Sequence, residues 1–133
     1  MKVRVSFLLL ALFLLSIASP APAIPPEYVG TWTGTASLAT QNYGYLTKTV
    51  TITVTSNSQQ VFKGAYNVQN GELTGNLSGC LIGSKVYLTG NYFVGEGTVS
   101  YDSVKKKYQI KGCWQYVGSS PPYAYTAYFH VFK

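Results

Sequence analysis

From residue 47 to 55 the chain alternates without a break, with Val50, Ile52 and Val54 on one side and threonines on the other. A period of two is that of a strand with one buried face. A second pattern recurs five times: Trp-Thr-Gly-Thr-Ala at 32–36, Phe-Lys-Gly-Ala-Tyr at 62–66, Leu-Thr-Gly-Asn-Leu at 73–77, Leu-Thr-Gly-Asn-Tyr at 88–92 and Ile-Lys-Gly-Cys-Trp at 110–114. Each places two apolar side chains and a glycine on the same face. Glycine weakens a strand unless the backbone bends sharply there or a large neighbour needs the space. A small closed barrel asks for both, since its strands coil and its inward positions alternate large and small.

The pattern predicts eight strands, at about 28–36, 47–55, 60–67, 72–79, 85–93, 96–102, 106–116 and 123–132. Turn residues separate them: Ser56-Asn57-Ser58, Asn70-Gly71, Gly83-Ser84, Gly95, Asp102-Ser103 and the run 118–122. No segment has a helical period, and even spacing with short turns points to an antiparallel meander. The expected fold is all-β, an eight-stranded antiparallel up-and-down barrel, with a two-sheet β-sandwich as the alternative. The expected inward set is Trp32, Phe62, Tyr66, Leu73, Leu77, Leu88, Tyr92, Val99, Tyr101, Tyr108, Ile110 and Trp114, with glycines at 34, 64, 75, 90, 97 and 112.

Residues 1–23 read as an export signal: Lys2 and Arg4 precede an apolar run from Val5 to Ile17, and Ala21-Pro22-Ala23 suits cleavage. The run is too short to span a bilayer as a helix, which takes roughly 20 residues. Residues 24–133 then form one domain, secreted or periplasmic, with no transmembrane span. This part holds eight lysines, no arginine and four carboxylates, leaving a formal charge of +4. Nucleic-acid binders concentrate Arg and Lys on one face and use Arg on phosphates and bases, so the absence of arginine argues against that partner.

Gly30-Thr31-Trp32 at the head of the first strand, followed by short alternating strands with Phe-x-Gly-x-Tyr spacing, resembles the calycin barrels: lipocalins, avidins and small bacterial lipocalin-like domains. The resemblance implies that Trp32 closes one end of the barrel under a basic side chain from the last strand, a part that falls here to Lys133 or His130. No ligand-contacting residue of the avidins is carried over.

One histidine and four scattered carboxylates leave few general acids or bases, so the expectation is a protein without catalytic activity or cofactor. His130 is expected to be structural. Neither Cys80 nor Cys113 has the orienting third group that a Cys–His nucleophile needs, and no cluster has metal-ligand spacing. In an exported chain Cys80 and Cys113 would form one disulfide, contributing about 2–4 kcal/mol. That bridge sits awkwardly in a meander, so the thiols are free, or Cys80 lies in a loop that folds back, or the strands form two facing sheets.

An eight-stranded barrel either fills with its own side chains or holds one small ligand. The first expectation for function is a small apolar or aromatic ligand held by Trp32, Tyr66, Tyr92, Tyr108 and Trp114 below a mouth formed by Tyr43, Tyr45 and Tyr123. The long aromatic loops at 37–46 and 117–122 would rim that mouth. The alternatives are a filled barrel that binds a protein, such as a periplasmic protease inhibitor engaging through 24–27 or a tyrosine loop, and a carbohydrate-binding module using the tyrosine loops on a polysaccharide. Lys105-Lys106-Lys107 is a solvated hairpin tip that discourages edge pairing, or a contact with anionic envelope polymer or lipid. Asn76 matches a glycosylation acceptor, and the threonines at 47–55 reflect β-propensity on a solvent face.

Overall fold

The computed structural model describes residues 25–40, 44–116 and 125–133. The expected export segment, Tyr43, the loop 117–122 and Tyr123 lie outside the described residues. After a 3-10 turn at Pro26–Tyr28, eight strands follow: β1 (Gly30–Thr40), β2 (Gly44–Ser58), β3 (Val61–Val68), β4 (Leu73–Ile82), β5 (Lys85–Gly90), β6 (Phe93–Asp102), β7 (Lys107–Tyr116) and β8 (Tyr125–Phe132). Each pairs antiparallel with the next, and β8 returns to β1 from Thr33↔Phe132 to Thr40↔Tyr125, closing the barrel in up-and-down order. The sandwich alternative is thereby overturned, because two facing sheets would leave β1 and β8 as edges.

Strand alternation sets the two faces. Trp32, Ala36, Leu38, Val50, Ile52 and Val54 point into a core completed by Phe62, Tyr66, Leu77, Leu88, Val99, Ile110 and Trp114. The outer wall is mainly threonine, lysine, asparagine and glutamine, the reverse of a barrel that meets lipid with its outer face. No helix among the described residues is long and apolar enough to cross a membrane.

Three expectations are corrected. The loop at 37–46 is mostly strand, because Leu38 continues the inward phase of Trp32 and Ala36, and residues 37–40 pair with 44–47. The turn expected at 56–58 falls instead at Gln59-Gln60, since β2 runs on to Ser58 through a bulge between Val54 and Ser56. Tyr92 and Tyr101, placed inside by alternation, are 45% and 55% exposed. Tyr92 belongs to the two-residue turn after Gly90, where the strand period has ended, and Tyr101 lies beyond Val99, where β6 reaches the rim.

The recurrent glycines serve two purposes. Gly75 lies under the Tyr66 ring, Gly79 under Phe62 and Gly90 under Phe93, so the missing side chain is the space an aromatic ring occupies. At Gly34, Gly64 and Gly112 a Cβ would instead strike a neighbouring strand's carbonyl oxygen, that of His130, Thr53 or Glu96. Here the glycine lets two backbones approach where the sheet coils most tightly.

Candidate functional site

The meander gives the barrel two ends of different character. The 3-10 turn, the hairpins β2–β3, β4–β5 and β6–β7, and Lys133 share one end; the connections β1–β2, β3–β4, β5–β6 and β7–β8 share the other.

The first end is plugged. Pro26 and Glu27 lead the chain across the base, and Tyr28 drops its ring edge-on against Trp32 (6.1 Å) and Tyr108 (5.1 Å). The Trp32 indole, almost fully buried, donates its Nε1–H to the Tyr28 carbonyl at 3.0 Å. Lys133 donates from Nζ to the Glu27 carbonyl, and its stem covers Gly30. Lys133 thus supplies the basic side chain at the Trp32 end, while His130 faces outward. Burial raises the Tyr28 phenol above its ordinary value, with Tyr108 and Glu27 adding to the shift. Above the plug only about 30 Å³ stays empty, among Tyr28, Trp32, Phe62, Val86 and Ile110. That is room for a water or two, against roughly 300–1,000 Å³ for a small-molecule pocket.

The opposite half holds a chain of aromatic rings. Tyr66 meets Phe93 edge-on at 4.8 Å, Phe93 leans on Trp114 at 5.6 Å, and Trp114 stacks on Phe129 at 5.3 Å with planes 19° apart. Tyr92 and Tyr116 sit above, 6.2 Å apart. Within this cluster the Tyr66 hydroxyl is buried and makes no hydrogen bond among the described residues, while Tyr66 as a whole is 4% exposed. Burial pushes its phenol above the ordinary range, and the neighbouring Tyr92 and Tyr116 push it further. An unpartnered buried hydroxyl costs about 1–3 kcal/mol and is uncommon.

The structure therefore divides the residues expected to line one pocket. Tyr66, Tyr92 and Trp114 gather at the aromatic end, whereas Trp32 and Tyr108 belong to the plug. Tyr45 is 89% exposed on the outer wall at the start of β2. Tyr43 and Tyr123 lie outside the described residues. Phe93, Phe129 and Tyr28 were missed. Phe129 had a signal in the alternation of Ala127, Phe129 and Val131, masked by the equally aromatic Tyr128 and Phe132 on the other phase.

The expected disulfide is also corrected, since both thiols are free. Cys80 pairs with Tyr87, Tyr87 with Glu96 and Glu96 with Cys113, so the two cysteines lie level on the outer wall, three strand spacings apart. At about 4.8 Å per spacing that is roughly 14 Å, twice the reach of a disulfide. Among the described residues no group of three or more His, Cys, Asp or Glu could hold a metal ion.

His130 lies on the outer wall, where its Nε2 meets Gln109 Oε1 at 2.8 Å and Gln109 in turn donates to the Ser100 hydroxyl at 3.1 Å. Burial first, then Lys111 and Lys105, hold its pKa below 6.5, with Asp102 opposing them. The unfolded chain therefore takes up a proton below about pH 6.5 that the folded protein refuses, so stability falls as pH drops through that range. Denaturation at pH 7.5 and 5.5 should show a loss in the wild type that is smaller in His130→Gln. Equal losses would mean the ring is not held neutral by its surroundings.

Compared with known proteins, the chain matches no protein-family model, no curated protein and no solved structure.

Proposed function

We propose that the chain is an exported, non-catalytic barrel of calycin-like type that binds a small apolar or aromatic molecule at its aromatic end, beside Tyr66, Tyr92, Phe93 and Trp114. The observation that carries this reading is the Tyr66 hydroxyl, buried without a partner among the described residues, with its ring edge-on to Phe93 and the phenols of Tyr92 and Tyr116 above. A site of apolar walls with one converging polar group is the usual make-up of a small-molecule pocket. The ligand that fits is a flat ring bearing a hydrogen-bond acceptor or donor, which would relieve the orphan and stack on neighbouring faces. The sparse acid and base groups support a binding rather than a catalytic role, and the apolar run from Val5 to Ile17 supports export.

The protein-binding alternative draws support from the packed half of the barrel, where about 30 Å³ remains. Titration with the neutral probe N-phenyl-1-naphthylamine separates the two. On the ligand reading the probe brightens on binding and accepts energy from Trp114, and Tyr92→Ala weakens it about three- to tenfold, the range of one aromatic contact. Lys106→Ala leaves it unchanged. A probe that stays dark, or binds Tyr92→Ala as well as wild type, removes the ligand reading in favour of a filled interaction module.

Tyr66→Phe provides a sharper prediction. Deleting the unpartnered hydroxyl should stabilise the free protein by about 1 kcal/mol in urea denaturation, because a desolvated group with no partner is lost. The same change should leave probe binding intact while weakening ligands that carry a polar ring substituent. A destabilised Tyr66→Phe would mean that the hydroxyl has a partner in solution.

A further inference from the structure

Charge is spread unevenly along the barrel axis. Lys63, Lys85, Lys105, Lys106, Lys107 and Lys133 ring the plugged end, and Lys111 stands a short way up the wall. Among the described lysines only Lys48 belongs to the other half, where Glu72 neutralises it at 2.7 Å. Three carboxylates accompany the ring: Glu27 in the plug, Glu96 on β6 one outward position above the level of Lys85 and Lys111, and Asp102, whose Oδ1 is occupied by the backbone N–H groups of Val104 and Lys105. The three hairpins at this end also expose aliphatic side chains at or beside their tips. Val61 is 57% exposed, Ile82 58% and Val104 90%. Lys105 is tied down, its ammonium 3.9 Å from the centroid of the Phe132 ring.

We propose that this rim docks on an anionic lipid bilayer, with Val61, Ile82 and Val104 entering the headgroup boundary and the lysines pairing with lipid phosphates. Lysine alone would serve any polyanion. Single aliphatic residues at hairpin tips, interleaved with lysines, are the composition of an interfacial binder, because they gain only where an apolar layer lies beneath the charge. An acidic polysaccharide offers no such layer. The plug suits the role as well: this end has no opening to obstruct, and the aromatic end faces away from the membrane. The proposal is independent of the ligand reading, since its residues lie at the opposite end.

The test is co-sedimentation of the protein, purified from an exporting host, with vesicles of phosphatidylcholine alone or of three parts phosphatidylcholine to one part phosphatidylglycerol. Binding is expected to the mixed vesicles only and to be lost at 0.5 M salt. At about fivefold per lysine, the combined Lys85→Gln, Lys106→Gln, Lys107→Gln variant should bind on the order of 100-fold more weakly. Val104→Asp should cost about tenfold. Near-ultraviolet circular dichroism of the buried Trp32 and Trp114 checks that the variants are folded, and Lys105 is left alone because of its contact with Phe132. Equal binding to neutral vesicles, or none to the mixed ones, overturns the proposal. So does wild-type affinity in the triple variant, or tight binding to dextran sulfate together with indifference to Val104→Asp.

Discussion

Gly34→Ala is expected to destabilise the barrel by about 3 kcal/mol or more, although the change adds a single methyl group. Gly34 pairs with Val131 across the β1–β8 seam, and its absent Cβ would land on the His130 carbonyl oxygen with the Val131 backbone close behind. A flexible side chain in that place would turn aside. A carbonyl in a ladder can move only with its strand, so the methyl must part the two strands that close the barrel. Gly75→Ala makes the fair comparison, because there the nearest atoms belong to the Tyr66 ring. A side-chain ring can adjust by rotation without moving a strand, and a loss of about 1–2 kcal/mol is expected. Urea denaturation of both variants decides the matter: if Gly34→Ala costs no more than Gly75→Ala, close backbone approach is not what the seam glycine provides.

Trp32→Ala is the second large effect, at about 3–5 kcal/mol. It removes the largest fully buried side chain in the barrel, leaves the Tyr28 carbonyl without its indole donor and takes away the surface on which the Tyr28 ring rests. The plug should loosen with it. Tyr28 and Tyr108 would become more exposed, and the raised titration of the Tyr28 phenol should move back toward its ordinary value, visible in the ultraviolet absorbance of phenolate. Trp32→Phe separates the contributions, since it keeps a ring against Tyr28 and loses only the hydrogen bond and part of the volume. A Trp32→Ala protein within 1 kcal/mol of wild type, with tyrosine titration unmoved, would show that the 3-10 turn holds itself in place.

The architecture was legible because a period of two leaves so little freedom. Val50, Ile52 and Val54 opposite threonines, and the repeated glycine between apolar residues, fix which side of each strand is buried, and even spacing then leaves little room for any order but a meander. What alternation does not carry is where it stops. Tyr92 has the right phase but sits two residues beyond its strand, and Leu38 continues a phase past the point where turn-forming Gln41, Asn42 and Gly44 signal a loop. The cysteines show a second limit. Position along each strand placed Cys80 near a rim and Cys113 well above it, yet the stagger between tilted strands brings them level and leaves the separation around the barrel. The ring cluster was half visible through Tyr66 and Trp114; Phe93 was hidden by its place beside a turn, and the missing partner of the Tyr66 hydroxyl is a property of space that sequence does not record.

The β1–β8 ladder has a consequence for the order in which the molecule can be made. Every other ladder joins neighbours in the chain and can form as soon as its hairpin has been synthesised, whereas this one joins the first strand to the last. Until Tyr125–Phe132 arrives, β1 waits with one margin unpaired, Trp32 has only part of its enclosure, and Lys133 cannot reach the carbonyl that it caps. Contacts so distant in sequence carry the largest loop-closure cost and slow folding. Closure of β1 on β8 therefore seals the sheet and fastens the plug together, and neither can be completed before Tyr125–Phe132 has been synthesised.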